Sequence, residues 1–118
     1  MSFNFDNNIP IYIQLADELK ILIISGKITP GERLLSVRDL ALEYKVNPNT
    51  MQRALAELEE TGLIFTERTN GKFVSNDMNL ISKYKKQYAE GLAEEFFSSM
   101  LEIGFSKNDA INFLKEEE

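Results

Sequence analysis

Two helix starts lie close together in the middle of the chain, and only a tight turn fits between the helices that they begin. Ser36 is followed three residues later by Asp39, which resembles a capping box with Asp in place of the more usual Glu. Asn47-Pro48 is a second start, because Asn is a strong N-cap and Pro fits the first helical position. The sequence therefore predicts a short helix over about 36–44 and a longer one that ends at Thr61-Gly62.

The flanking segments complete a recognisable order of elements. Apolar residues at helical spacing predict a first helix over about 10–25, and a Pro-Gly turn signal makes 27–35 a short extended link. Two short runs rich in β-branched and aromatic residues, 63–67 and 72–75, are joined through Asn70-Gly71, a step typical of a tight hairpin. This order is that of a winged helix-turn-helix, with the helix pair at roughly 36–60 and a β wing to about 76.

The rest of the chain predicts two amphipathic helices, one over about 79–103 ending at Gly104 and one capped by Ser106 and Asp109 before an acidic tail. Two such helices cannot bury their own apolar faces, so we expect 78–118 to be a helical hairpin that forms a homodimer. The alternative is that both helices fold back onto the winged helix of the same chain. The expected interface residues are Tyr84, Tyr88, Leu92, Phe96, Phe97, Met100 and Leu101.

The predicted fold class is thus mostly α with a small β-hairpin. We expect a winged helix-turn-helix domain over 1–77, followed by the two-helix C-terminal dimerisation segment over 78–118.

Composition narrows the function classes. The 118 residues include no cysteine and no histidine, so thiolate chemistry and the commonest general base and metal ligand are missing. We expect no enzyme, no catalytic residue, no metal and no cofactor, since the remaining carboxylates, Lys and Tyr show no paired geometry.

The first residues lack a basic stretch leading into an apolar one, and no apolar run reaches about 18 residues, so a cytoplasmic protein without a membrane partner is expected.

The net charge of −6 argues against a nucleic-acid partner, because such domains usually carry a basic footprint. The charge is locally segregated, however. Four cations and only two acids lie between positions 33 and 53, while acids gather from Glu57 onward. The total charge therefore does not describe the helix pair.

The second helix of such a pair enters the DNA major groove with its N-terminal residues at the base edges. Here those residues are polar: Asn47, Asn49, Thr50, Gln52 and Arg53. Amides can pair with adenine, and Arg with guanine or phosphate. Two simpler roles stay open, since Asn47 can be only an N-cap and Arg53 can pair with Glu57 one turn later.

Further cations lie beside this helix. Arg38 on the shorter helix can contact a phosphate or a base, or can simply be solvated. Arg68 and Lys72 bracket the Asn70-Gly71 tip, which suits a contact with the minor groove or the DNA backbone. The alternative for the wing is a plain surface turn.

The string PGERLLSVRDLALEYKVNPNTMQRALAELEETGLIFTERTNGKFV resembles the DNA-binding domain of the GntR family of bacterial regulators, and IPIYIQLADELK resembles its first helix. The likeness covers about residues 9–76. Family members usually have Leu-Pro-Ser where this chain has Leu34-Leu35-Ser36. Carried over by position, the resemblance implies DNA contacts by Ser36, Arg38, Asn47, Asn49, Thr50, Gln52, Arg53 and Gly71, with Arg68 or Lys72 at the wing.

The short C-terminal segment resembles the YtrA-type branch of that family. The resemblance implies a regulator, by family default a repressor, that binds a palindromic double-stranded DNA operator as a homodimer. Which of Gln52 and Arg53 reaches a base stays open, and the sequence identifies no small-molecule effector. The alternative function is a winged-helix module that binds proteins without sequence-specific DNA binding.

Overall fold

Five helices and one β-hairpin make up residues 3–116, the part of the chain that the computed structural model describes. In chain order they are α1 (Ile11–Ile24), α2 (Val37–Tyr44), α3 (Pro48–Thr61), β1 (Ile64–Glu67), β2 (Gly71–Val74), α4 (Met78–Glu102) and α5 (Lys107–Glu116). The predicted fold class, mostly helical with a small hairpin, is confirmed. The outermost residues of the two predicted domains, 1–2 and 117–118, lie outside the described part.

Both helix starts predicted in the middle of the chain are present. The Asp39 N–H donates to the Ser36 hydroxyl at 3.1 Å, and the Asn49 N–H donates to the Asn47 side-chain oxygen at 2.7 Å. Between the helices, Lys45 adopts a left-handed conformation with φ 57°. The Val46 N–H donates to the carbonyl of Ala41 at 2.9 Å, which closes the turn. The chain can therefore leave α2 and begin α3 within three residues.

The core of the first part lies between α1 and α3, with α2 and the hairpin at its sides. Leu15, Leu19 and Ile23 of α1 are at most 2% exposed. Leu63 before β1 and Val74 of β2 are equally buried, and Leu40 of α2 is 6% exposed. The inner face of α3 is also at most 2% exposed and consists of Met51, Ala54, Leu55 and Leu58. The 3.6-residue period of both helices explains why these positions face one another.

The link before α2 contributes to the wing. The hairpin is antiparallel, with Ile64 opposite Val74 and Glu67 opposite Gly71. On its other edge, β2 pairs with the link through a bridge between Arg33 and Phe73, and the Leu34 N–H donates to the carbonyl of Lys72 at 2.8 Å. The extended link predicted from the sequence is thus a third, short strand-like stretch that covers the edge of the hairpin.

The chain divides into two compact units, and the boundary falls between Ser82 and Lys83, within α4. In the second unit, the Phe105 N–H donates to the carbonyl of Met100 at 2.9 Å, and Gly104 has the positive φ of a helix end. Ser106 and Asp109 form a complete capping box at the start of α5, at 3.1 and 3.2 Å. Within residues 3–116 no helix is long and apolar enough to cross a membrane.

The core makes a direct stability prediction. We expect Leu55→Ala to lower the free energy of unfolding by about 3 kcal/mol, because Leu55 is fully buried and the substitution leaves a cavity. The matched control is Leu42→Ala on α2, where the same side chain is 69% exposed and the expected change is within about 0.5 kcal/mol. Urea unfolding of both variants measures the difference; equal losses would contradict the α1–α3 core.

Candidate nucleic-acid interface

The N-terminal half of α3 presents a polar outer face. Asn49, Gln52 and Arg53 are exposed and Thr50 is half-buried, whereas Met51 points into the core. Asn49 and Arg53 are four residues apart and share one side of the helix, while Gln52 lies toward the side that carries Glu59 two turns later. The predicted DNA-contacting residues of α3, Asn49, Thr50, Gln52 and Arg53, therefore form one continuous surface, which we call the reading face.

Asn47 lies at the edge of this surface. It is exposed, but its side-chain oxygen already accepts the N–H of Asn49 as an N-cap. Ser36 is in the same position on α2, where its hydroxyl accepts the N–H of Asp39. Both residues therefore fix helix starts, and their DNA contacts stay predictions. Arg38, one residue into α2, is exposed.

Arg53 contacts α1 rather than its own helix. The carbon of its guanidinium lies 3.9 Å from the centre of the Tyr12 ring, a stacked cation–π arrangement. The described residues include no ion pair between Arg53 and Glu57, so the pairing that the spacing left open is not formed. The sequence reasoning missed Tyr12, because helical periodicity does not show which residue of α1 lies beside Arg53.

Lys72 ties the wing to α3. Its ammonium lies 2.5 Å from a carboxylate oxygen of Glu59 and donates to the Thr66 hydroxyl at 2.8 Å. The Thr66 hydroxyl in turn donates to Glu59. Hydrogen bonds from Lys72 and Thr66 hold the pKa of the Glu59 carboxyl below its ordinary value. Lys72 lies one residue pair from the wing tip, opposite Thr66, and its charge is engaged with Glu59 of α3. Its DNA contact stays a prediction.

Gly71, the first residue of β2, has no side chain, so Arg33 of the link can approach it closely. Gly71 has φ +100°, and a Cβ there would lie 3.3 Å from Nε of Arg33. An open groove of about 280 Å³ runs between the link and the wing, and its lining includes Arg33, Ser36, Arg68 and Gly71. Arg33 and Arg68 are exposed and have no ion-pair partner within residues 3–116. Glu67 also lines this groove, but with Arg33, Arg68 and Lys72 in the lining its edge between the link and the wing is cationic on balance.

Arg33 is the second residue that the sequence reasoning did not select. It was visible only as a cation just after the Pro30-Gly31 turn. Its place beside Gly71 follows from the bridge between Arg33 and Phe73, which joins the link to the far edge of the hairpin. That pairing connects segments forty residues apart, and no local signal in the sequence indicates it.

The described residues hold no cluster of three or more Asp, Glu, His or Cys side chains that could bind a metal ion.

In the second unit, two of the predicted interface residues are the most exposed: Leu92 at 54% and Leu101 at 66%. The other five are half-buried: Tyr84, Tyr88, Phe96, Phe97 and Met100. Three further apolar side chains, which the sequence reasoning did not select, are 40–70% exposed: Ile103, Phe113 and Leu114.

Residues 11–74 match a family model described as "Bacterial regulatory proteins, gntR family". The uncharacterized HTH-type transcriptional regulator YhcF of Bacillus subtilis is 33% identical over 115 residues, which span 98% of this chain and 95% of that protein. The HTH-type transcriptional repressor YtrA of the same organism is 43% identical over 68 residues, 58% of this chain and 52% of that protein.

Solved structures agree with these relatives. A GntR family transcriptional regulator from Listeria monocytogenes has a TM-score of 0.86 and 41% identity, over 95% of this chain and 98% of that one. The DNA-binding domain of AraR in complex with operator ORE1 has a TM-score of 0.55 and 25% identity, over 64% of this chain and 94% of that one.

The Lys72–Glu59 pair predicts a pH effect. Because the pKa of Glu59 is lowered in the folded protein, its stabilising contribution is present above the ordinary carboxyl pKa and is lost as the pH falls through the lowered value. We expect Lys72→Met to raise the pKa of Glu59 in an NMR titration and to cost stability at neutral pH but not in strong acid.

Arg68→Met is the matched control, because Arg68 is a wing cation without an ion pair among the described residues. It should leave the titration of Glu59 unchanged. If the pKa of Glu59 were the same in Lys72→Met as in the unmodified chain, the pair would not form in solution.

Proposed function

Because the chain belongs to the gntR family of bacterial regulatory proteins, we propose that it is a DNA-binding transcription regulator that represses genes by occupying a palindromic operator as a homodimer. The observation that carries this proposal is the exposed polar face of α3 within a winged helix-turn-helix like that of AraR, whose domain was solved on operator DNA. Repression is supported by the likeness to the repressor YtrA.

In the proposed complex, α3 lies in the major groove, where its outer face meets base edges. Asn49 and Gln52 have amides that suit adenine, while Thr50 suits a phosphate or a thymine methyl. The groove beside the wing adds Arg33 and Arg68 against the phosphate backbone, and the absence of a side chain at Gly71 leaves room for the Arg33 guanidinium.

The acidic net charge does not oppose this arrangement. The first nine residues of α3 contain Arg53 and no acid. Glu59, which faces the wing, is neutralised by Lys72 at 2.5 Å. The acids of α4, such as Glu90, Glu94 and Glu95, belong to the second unit. The proposed DNA surface is therefore cationic although the whole chain is not.

The second unit supplies the proposed dimer contact. Its exposed apolar side chains, Leu92 and Leu101 among them, cost free energy in water and favour burial against a second copy. A twofold pair would set two α3 helices about 34–36 Å apart, one turn of DNA. Joining two weak half-site contacts raises the overall affinity by roughly 100-fold or more.

Selection of the preferred duplex from a random pool tests the function directly. We expect a palindromic motif with two half-sites about one turn apart, and mobility shifts that weaken steeply with salt. Binding with no preference over random DNA would contradict the regulator and favour the alternative, a winged helix that binds a protein partner.

A substitution at the centre of the reading face gives a sharper test. We expect Asn49→Ala to weaken operator binding by roughly 10- to 100-fold and to relax the preference at one base pair of each half-site. Asn112→Ala, at an exposed position on α5, is the matched control and should bind as the unmodified chain does. A lower melting temperature in Asn49→Ala with unchanged base preference would instead make Asn49 structural.

The dimer has its own test. We expect the double substitution of Leu92 and Phe96 by Glu to give monomers in sedimentation and to weaken operator binding, because charges at that surface oppose its burial. Ser98→Glu, at an exposed polar position of the same helix, is the control and should stay dimeric. Dimers in the Leu92 and Phe96 variant would contradict the proposed interface. Circular dichroism checks that its helices persist.

A further inference from the structure

Arg53 and Tyr12 form a contact between α3, which is the proposed reading helix, and α1. The guanidinium carbon lies 3.9 Å from the centre of the Tyr12 ring, close enough for face-to-face stacking. Tyr12 is half-buried in the first turn of α1, whereas Arg53 is exposed. A stacked guanidinium keeps its N–H groups free around its edge, so Arg53 can still bind a ligand while the ring holds it.

The stack draws the Arg53 guanidinium to the α1 side of the reading face. An α-helix with its side chains is about 10–12 Å across and the major groove is about 12 Å wide, so side chains that lean to a flank meet the sugar-phosphate backbone. The planar fork of an arginine matches the oxygens of a phosphate in a bidentate contact. Asn49, one turn earlier on the same side of α3, has no such contact between its side chain and the described residues of α1.

We infer that Tyr12 is a positioning residue whose ring holds Arg53 against a backbone phosphate on the α1 side of the reading helix. Base reading is then the task of Asn49 and Gln52. This inference rests on the proposed function and deepens it, since it assigns one contact of the DNA surface to a residue of α1. The ring limits the rotamers of a long side chain before DNA arrives, which reduces the ordering cost of binding.

The test uses the full chain and two duplexes, the operator found by selection and a random sequence, over a series of salt concentrations. We expect Arg53→Ala to weaken binding to both duplexes by the same factor. The slope of log affinity against log salt concentration should fall by about 0.9 for each half-site. The base preference from a repeated selection should stay unchanged. A preference lost at one position would overturn the phosphate assignment.

Substitutions of Tyr12 test the positioning role. We expect Tyr12→Leu to weaken binding to both duplexes by roughly 5- to 30-fold, because a dimer loses two Arg53–Tyr12 stacks, one in each subunit. Tyr12→Phe keeps the ring and should bind as the unmodified chain does. In the Arg53→Ala background, Tyr12→Leu should have no further effect on affinity.

Three results would overturn the positioning role: a further loss from Tyr12→Leu in the Arg53→Ala background, an equal loss from Tyr12→Phe, or unchanged binding by Tyr12→Leu. A merely structural role would lower the melting temperature and weaken binding whether or not Arg53 is present. Failure of the proposed function is distinguishable from all of these, because the unmodified chain would then select no operator.

Discussion

The packing of α1 against α3 is the contact on which the rest of the structure depends. Leu15 and Leu19 are buried against the inner face of α3, where Leu55 is fully buried, and each such side chain contributes roughly 1.5–3 kcal/mol by leaving water. This contact fixes the rotation of α3 about its axis. The polar side of α3 therefore faces outward, and the side of α1 that carries Tyr12 comes to lie beside Arg53.

The wing is held in place by the buried side chains of Ile64 and Val74 at its base and by polar contacts further out. A two-stranded hairpin is marginally stable alone, and here β2 gains a second neighbour in the link at Arg33 and Leu34. Lys72 and Thr66 then bond Glu59 of α3. The same ion pair neutralises the charge of Glu59 on the side of α3 that faces the wing, so one contact both positions the wing and sets the local charge.

The proposed division of labour follows from where apolar surface is buried and where it is exposed. The first unit buries its apolar side chains and presents amides and cations, which suit recognition of DNA. The second unit exposes Leu92, Leu101 and Ile103, which suit contact with a second copy. In this proposal, DNA recognition and dimerisation belong to different parts of the chain. Helix α4 spans the boundary between the two units.

The sequence by itself determined the elements and the family, because their signals are local: the caps at Ser36 and Asn47, the helical periods and the Asn70-Gly71 turn fix short-range backbone geometry. It also determined that the outer face of α3 is polar. Only the tertiary structure decided what the long side chains do. Lys72 forms an ion pair with Glu59, Arg53 stacks on Tyr12, and Arg33 lies beside Gly71. Each of these contacts joins chain segments that are distant in sequence. The positions of flexible charged side chains depend on such neighbours, which no local pattern records.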